Sequence, residues 1–478
     1  MKVTCCHLFL LNGAIVALLA QRQLLADAPT SQTAPAPLPL PLPLPPITPV
    51  RYTEDYSAAP PSLKHIPLAD GGDSYLSLGI EFRLRYELYL DNLWGQGPQD
   101  SDGYLWERTM PYADLHLGPN FRAFGQLVSA FEWGDATGIK PPDEDRLDLL
   151  QGFIDIRVPI GENQSLLVRP GRQILRYGSE RLIGMRYGAN VPLPFDAALA
   201  RFETALWRID AFYGHPIKTE RGEWDDQSDD TQALWSLYTT LALPSIGKRA
   251  GIDAYYIGYS DDKARFAQGP GEELRHTLGV RFFGETSNVD WDFEACYQFG
   301  RYAMSGGEGR ISAWAVGGNV GYTFDGAPLR PRLGMKANVI SGDEDPKDAD
   351  LQTFNSLFPR RKYFGEMGQI GPYNLIDVHP SLTLQLTSKT TLELASVFYW
   401  RYSTNDGIYN TPGNVIRTGF NSDARFIGTQ LEALLTHRFS REFEVTAAYE
   451  VFLPGRFIEE SGPDEVVHFV GIELLYRF

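Results

Sequence analysis

The sequence predicts an all-β protein: a closed transmembrane antiparallel β-barrel of about 18 strands. Three observations carry the prediction. Apolar and polar residues alternate with a period of two in stretch after stretch from about residue 75. The connections between these stretches alternate between long and short. The closing segment "GIELLYRF" (Gly471–Phe478) reads as a strand to its last residue, as a strand that closes a barrel against the first one can.

Composition narrows the class. Hydrophobic residues are 43% and charged residues 22%, which excludes both a disordered chain and a helical membrane protein. The 46 glycines and 13% aromatics suit strands and tight turns. A net charge of −17 argues against a nucleic-acid partner. The three cysteines form neither a disulfide framework nor a zinc-type spacing, so no metal or cofactor is expected.

Residues 1–26 read as a signal peptide. Lys2 precedes the short apolar run Cys5–Ala20, and "LLADA" (Leu24–Ala28) offers a cleavage point after Ala26. The run is too short for a comfortable membrane span. Residues 27–74 read as a flexible Pro-rich linker. Its tract "APTSQTAPAPLPLPLPLPPITP" (Ala28–Pro49) cannot enter a helix or a sheet interior, because proline fixes φ and lacks a donor.

The barrel is expected over residues 75–478. "GIEFRLRYELYL" (Gly79–Leu90) shows the pattern: Ile80, Phe82, Leu84, Tyr86, Leu88 and Leu90 share one face, and Glu81, Arg83, Arg85 and Glu87 the other. Strands are read at 79–90, 104–117, 121–133, 152–160, 166–174, 197–203, 206–213, 233–243, 251–259, 277–284, 290–299, 312–324, 330–339, 380–387, 391–400, 428–437, 443–452 and 468–478. Every odd connection is then long and every even one short. This is the parity of an outer-membrane barrel with short periplasmic turns and long outer loops.

The ionic face belongs to the lumen. The chain has 10 lysines against 33 arginines, and the guanidinium fork suits carboxylate contacts. Arg83, Arg85, Arg108, Arg122, Arg157, Arg208, Arg281, Arg301, Arg332 and Arg401 sit on polar strand faces or just beyond them, with Glu81, Glu87, Asp155, Glu294, Glu393 and Glu450 among them. The plainer reading is a charge-balanced wall braced by arginine–carboxylate ladders. Arginines converging on one constriction would instead make an anion filter. In the long connection 340–379, the acidic run Asp343, Glu344, Asp345, Asp348 and Asp350 reads as a solvated outer loop. "FNSLFP" (Phe354–Pro359) is too apolar for that and is expected to pack into the barrel mouth.

Two long segments carry a family resemblance. "RPGRQILRYGSERLIGMRYGANVPLPFDAALARF" (Arg169–Phe202) resembles the GRQ…YG…RLIG…FD segment of the alginate export family of outer-membrane barrels. "SGDEDPKDADLQTFNSLFPRRKYFGEMGQIGPYNLIDVHPSL" (Ser341–Leu382) is similar to that family's GD…FN…FP…YFG…NL stretch. "FYWRYSTNDGIYN" (Phe398–Asn410) and the closing "YRF" fit as well, and the order is kept over about residues 77–478. "RYGAN" (Arg186–Asn190) lacks the tryptophan of the pattern, and "LPFDAALARF" (Leu193–Phe202) carries extra alanines.

The resemblance implies a monomeric, passive outer-membrane conduit in which arginines attract an anionic polysaccharide leaving the periplasm. Carried over by motif, Arg83, Arg85, Arg108, Arg172, Arg181, Arg332 and Arg401 are expected to replace water around uronate carboxylates. The expected partners are that polysaccharide, outer-membrane lipid, the barrel-assembly machinery through Phe478, and periplasmic export proteins. A general or small-anion uptake porin is the alternative on the same barrel. An enzyme is not expected, because His116, His215, His276, His379, His437 and His468 lie scattered without a nucleophile motif beside them.

Overall fold

The computed structural model describes residues 44–68, 73–139 and 141–478. The signal peptide read at 1–26 and the Pro-rich tract up to Pro43 lie outside the described residues.

Eighteen long strands form one closed antiparallel sheet. They are β1 (Ser74–Leu90), β2 (Tyr104–Leu117), β3 (Phe121–Trp133), β4 (Asp145–Gly161), β5 (Gln164–Gln173), β6 (Phe195–Glu203), β7 (Trp207–Lys218), β8 (Gln232–Ala242) and β9 (Lys248–Phe266). They continue as β10 (Gly269–Glu285), β11 (Val289–Met304), β12 (Gly307–Thr323), β13 (Arg332–Ile340), β14 (Leu375–Thr387), β15 (Thr390–Arg401), β16 (Phe426–Arg438), β17 (Phe443–Pro454) and β18 (Val467–Arg477). Each pairs with its sequence neighbours, and β18 closes on β1 from Glu81 opposite Arg477 to Leu90 opposite His468. Phe478 extends the closure by exchanging backbone hydrogen bonds of 2.9 Å with Ile80. Pairing of β18 with β1 closes the sheet where, among the described residues, an open edge would otherwise face lipid and each orphaned amide would cost several kcal/mol.

The alternation read in the sequence is the alternation of the wall. In β1, Glu81, Arg83, Arg85 and Glu87 are buried inside. Leu278, Val280, Phe282, Phe293, Val316, Val320, Leu333 and Met335 are exposed on the outer face of β10 to β13, the surface that an apolar band about 25 Å tall requires.

One element of the sequence reading is corrected. Two odd connections, read as long at 260–276 and 300–311, are tight turns at 267–268 and 305–306. The polar residues there continue the period-two pattern, so β9 to β12 run to 19, 17, 16 and 17 residues. At roughly 3.3 Å per residue these hairpins overshoot the apolar band and stand above the membrane. The other odd connections are long, and they mark the outer end of the barrel.

Within the stretch read as a linker, residues 48–67 lie folded against the periplasmic end of the wall. Val50 is buried with Met110, Val128, Leu150 and Met185. Arg51 Nη2 donates to the Phe478 carbonyl at 2.9 Å, and the Tyr52 hydroxyl to the Ile174 carbonyl at 3.1 Å. Lys64 Nζ donates to the Tyr112 hydroxyl at 2.7 Å and sits 4.7 Å from the centre of the Phe478 ring. Ile66 and Pro67 pair with Leu76 and Tyr75, covering the part of β1 that extends past the end of β18.

Candidate functional site

Two long outer connections, 174–194 and 341–374, fold into the lumen and meet there. Ile183 and Phe358 form a parallel bridge. The Gly184 amide donates to the Phe358 carbonyl at 2.8 Å, and the Phe358 amide to the Leu182 carbonyl at 2.9 Å. Around the bridge Leu182, Leu193, Phe354, Leu357, Phe358 and Phe364 pack on wall residues Phe195, Tyr238, Tyr255 and Tyr259. "FNSLFP" therefore packs inside the barrel, as expected. The acidic run just before it divides: Glu344, Asp345 and Asp348 are exposed, but Asp343 is 1% exposed. This corrects its assignment to a solvated loop. Asp343 Oδ2 accepts from Gln268 Nε2 at 2.8 Å.

Three of the seven predicted arginines converge. Arg83 and Arg108 stand directly opposite each other across β1 and β2, an arrangement that needs surrounding acceptors. Arg83 donates to the carbonyls of Tyr187 and Ala189 at 3.1 and 2.7 Å. Arg108 donates to Glu81 at 2.6 Å and to the carbonyls of Ala189 and Asn190 at 3.1 and 3.2 Å. Arg85 pairs with Glu87, with Glu366 at 2.9 Å and with Glu473 at 3.1 Å. Arg83 and Arg108 hold "RYGAN" against the wall, Arg85 holds Glu366 of the second inward connection, and Asn190 Nδ2 completes the first anchor on the carbonyls of Glu107, Phe131 and Asp143.

The other four are apart. Arg181, on the first inward connection, pairs with Asp292 and Glu294 at 2.9 and 3.0 Å and donates to the Tyr363 hydroxyl at 3.0 Å. Arg172 makes a two-pronged contact with Asp196 near the outer end of β5 and Arg332 another with Asp290 near the periplasmic end of β13. Arg401 is fully buried, with donors on the carbonyls of Thr404, Asp406, Ser422 and Ala424. It pins the outer loop 402–425. The ladder continues through Arg122 with Asp114, Arg169 with Asp155, Arg201 with Asp210, and Arg281 with Asp253 and Asp292. The plainer reading of the ionic face thus describes most of the wall.

Two arginines outside the predicted set differ. Arg186 and Arg360 lie on the inward connections, close to the Ile183–Phe358 bridge. Unlike the ladder arginines, neither forms an ion pair with a carboxylate among the described residues. Arg186 lies over the Phe358 ring, 5.5 Å from its centre, and burial lowers its pKa. It faces an outer cleft of about 340 Å³ lined by Lys263 and Arg265 and by the carboxylates Asp229, Asp261 and Glu273. Arg360 is exposed and faces an inner cleft of about 270 Å³ with Lys336, Lys362, Glu393 and Glu432. Arg186 (φ 50°) and Leu357 (φ 58°) both adopt the left-handed conformation, which costs a non-glycine residue of order 1–3 kcal/mol. The strain sits where the two connections cross the lumen. Strand alternation cannot find these arginines, because they lie in connections. The "RYGAN" and "FPRRKYFG" motifs were the only signal.

The comparisons with known proteins agree with this architecture. A family model described as alginate export matches residues 74–472. A search of curated protein sequences finds no match. Several solved channels from Pseudomonas aeruginosa are similar in fold. OpdK with vanillate has a TM-score of 0.55 at 9% identity, covering 84% of this chain and 98% of that one. OccK2 (OpdF) in complex with glucuronate has a TM-score of 0.54 at 11% identity, covering 85% and 98%. OccK11 (OpdR) has a TM-score of 0.52 at 10% identity, covering 85% and 96%.

Proposed function

The chain belongs to the alginate export family of outer-membrane β-barrels, and we propose that this porin passively conducts an anionic polysaccharide, an alginate-like polyuronate, out of the cell. The observation that carries the proposal is the placement of Arg186 and Arg360. One lines the cleft outside the loop bridge and the other the cleft inside it, and neither guanidinium is committed to a direct ion pair of the kind that braces the wall. A polyuronate presents one carboxylate per sugar, so successive sugars can exchange between two such cations without a deep binding site. Conduction requires that exchange.

The ladder arginines have a supporting part. Arg83, Arg85, Arg108 and Arg181 hold the inward connections that carry Arg186 and Arg360, and Arg172 and Arg332 brace the wall toward its two ends through Asp196 and Asp290. Arg401 acts on the outer loop. No step makes or breaks a covalent bond.

Planar-bilayer recording with polymannuronate tests the proposal. A block that depends on polymer concentration and voltage, and that neutral dextran of similar length does not produce, is the expected result. Equal block by both polymers, or by neither, contradicts it. Uptake of small carboxylates is the second reading. The bridge of Ile183 and Phe358 narrows the lumen, and two channels of the same fold were crystallised with the carboxylates vanillate and glucuronate. Block by free glucuronate with no block by the polymer would favour it.

A further inference from the structure

We propose that the outer rim of the barrel holds a divalent cation, calcium by its ligand chemistry, between the start of β4 and the connection 219–231. Asp148, Asp225 and Asp226 bring three carboxylates together, with one oxygen of each within 4.8 Å of the others. Acidic loops are common, and that cluster alone would mean little. The second observation is Asp145. Its side chain is 0% exposed, and both of its carboxylate oxygens lack a hydrogen-bond partner. The charged groups that act on it are Asp226, Asp148 and Asp225, with Arg172 the one cation among them. One carboxylate oxygen of Asp225, Oδ1, is likewise buried without a donor. A buried carboxylate without a partner is costly unless a proton or a cation compensates it.

The backbone builds the site. The amides of Arg146 and Leu147 donate to the Gly222 carbonyl at 3.2 and 3.4 Å, and the Trp224 amide donates to the Leu147 carbonyl at 2.9 Å. This pairing holds Asp148 over the next turn, where its Oδ2 accepts from the amides of Asp225 and Asp226 at 2.9 and 3.1 Å. The opposing Arg172 is already committed to Asp196, and its Nη1 lies 3.9 Å from Asp148. Four carboxylates against one shared guanidinium leave excess negative charge. An all-oxygen donor set with bidentate options suits calcium, which takes 6–8 oxygen ligands in flexible geometry, better than zinc or copper. The bound ion would tie two outer connections into one rim and leave Arg172 to Asp196.

The test uses the purified barrel in detergent, stripped with chelator. Terbium is titrated and its luminescence, sensitised through Trp224 in the same connection, is followed; calcium is then added as competitor. Saturable binding displaced by calcium is expected, weakened at least tenfold in Asp145→Asn and in Asp226→Asn. Asp145→Asn removes an unpartnered buried charge and so should fold at least as well as the parent. In chelator its thermal midpoint should match or exceed that of the parent, and calcium should raise the midpoint of the parent only. Absence of saturable binding overturns the proposal. So does a terbium affinity or a calcium-induced stabilisation that is the same in parent and Asp145→Asn.

Discussion

Ile183 and Phe358 meet as a parallel β-bridge inside the barrel, so two connections that leave different strands close on each other across the lumen. The Phe358 ring also packs edge-on against Phe195, 5.2 Å between centroids, and Tyr259, 5.7 Å. Phe358→Ala should remove both contacts and loosen the bridge at a local cost of about 3–5 kcal/mol. The barrel wall does not depend on it. The expected outcome in single-channel recording is a larger and noisier conductance, with unchanged heat-modifiable migration of the folded barrel.

The segment 48–67 occupies the periplasmic mouth through Val50, Arg51, Tyr52 and Lys64. Deleting it while keeping β1 intact should widen that entrance. Conductance should rise, and a protease acting from the periplasmic side should reach the exposed end of β1, where Ile66 and Pro67 now pair. Conductance equal to that of the parent would mean that the path avoids this side of the wall.

Asp343 makes the anchoring of the connection 341–374 depend on pH. Burial, with the nearby charges of Asp406 and Asp348, pushes its pKa up to about 7 against the donors Gln352 and Gln268. A carboxyl group raised above its unfolded value of about 3.9 binds a proton in the folded state that the unfolded chain has lost. Its contribution is therefore complete below about pH 4 and is lost as the pH rises through about 7. Loop-gating noise should be lower at pH 5 than at pH 8, and Asp343→Asn should flatten that difference.

Arg401 separates a structural arginine from a conducting one. Its donors reach four carbonyls of the loop 402–425, and its guanidinium carbon lies 3.9 Å from the centre of the Phe457 ring. Arg401→Lys cannot reproduce that planar fork. Losing part of that set of charge-assisted bonds should cost a few kcal/mol, at about 1.5–3 kcal/mol net per bond. Faster proteolysis within 402–425 is expected, with ion selectivity unchanged.

The wall was legible in the sequence because a strand's side-chain period is two and each barrel strand has two different solvents. Glu81, Arg83, Arg85 and Glu87 could be assigned to the lumen from β1 alone. The hairpin turns at 267–268 and 305–306 were not legible, because beyond the membrane both faces of a strand meet water and the apolar half of the alternation fades while the inward burial of Glu273, Arg275, Gln298 and Tyr302 continues. Side-chain roles were less legible. Arg83 and Arg108 were singled out correctly as inward-facing, yet what they hold is "RYGAN", 104 to 107 residues from Arg83 for the contacts made. Arg186 and Arg360 went unmarked for the same reason. Their importance rests on a bridge between two connections, and no periodicity records which connections will touch.

The most direct measurement is the reversal potential of single channels under a potassium chloride gradient, for the parent and for Arg186→Glu/Arg360→Glu. An anion-selective parent whose preference falls to neutral or inverts in the double variant, with the barrel still folded, is the predicted result. A parent that prefers cations, or a double variant with unaltered anion selectivity, would contradict the assignment of these two arginines to the conducting path.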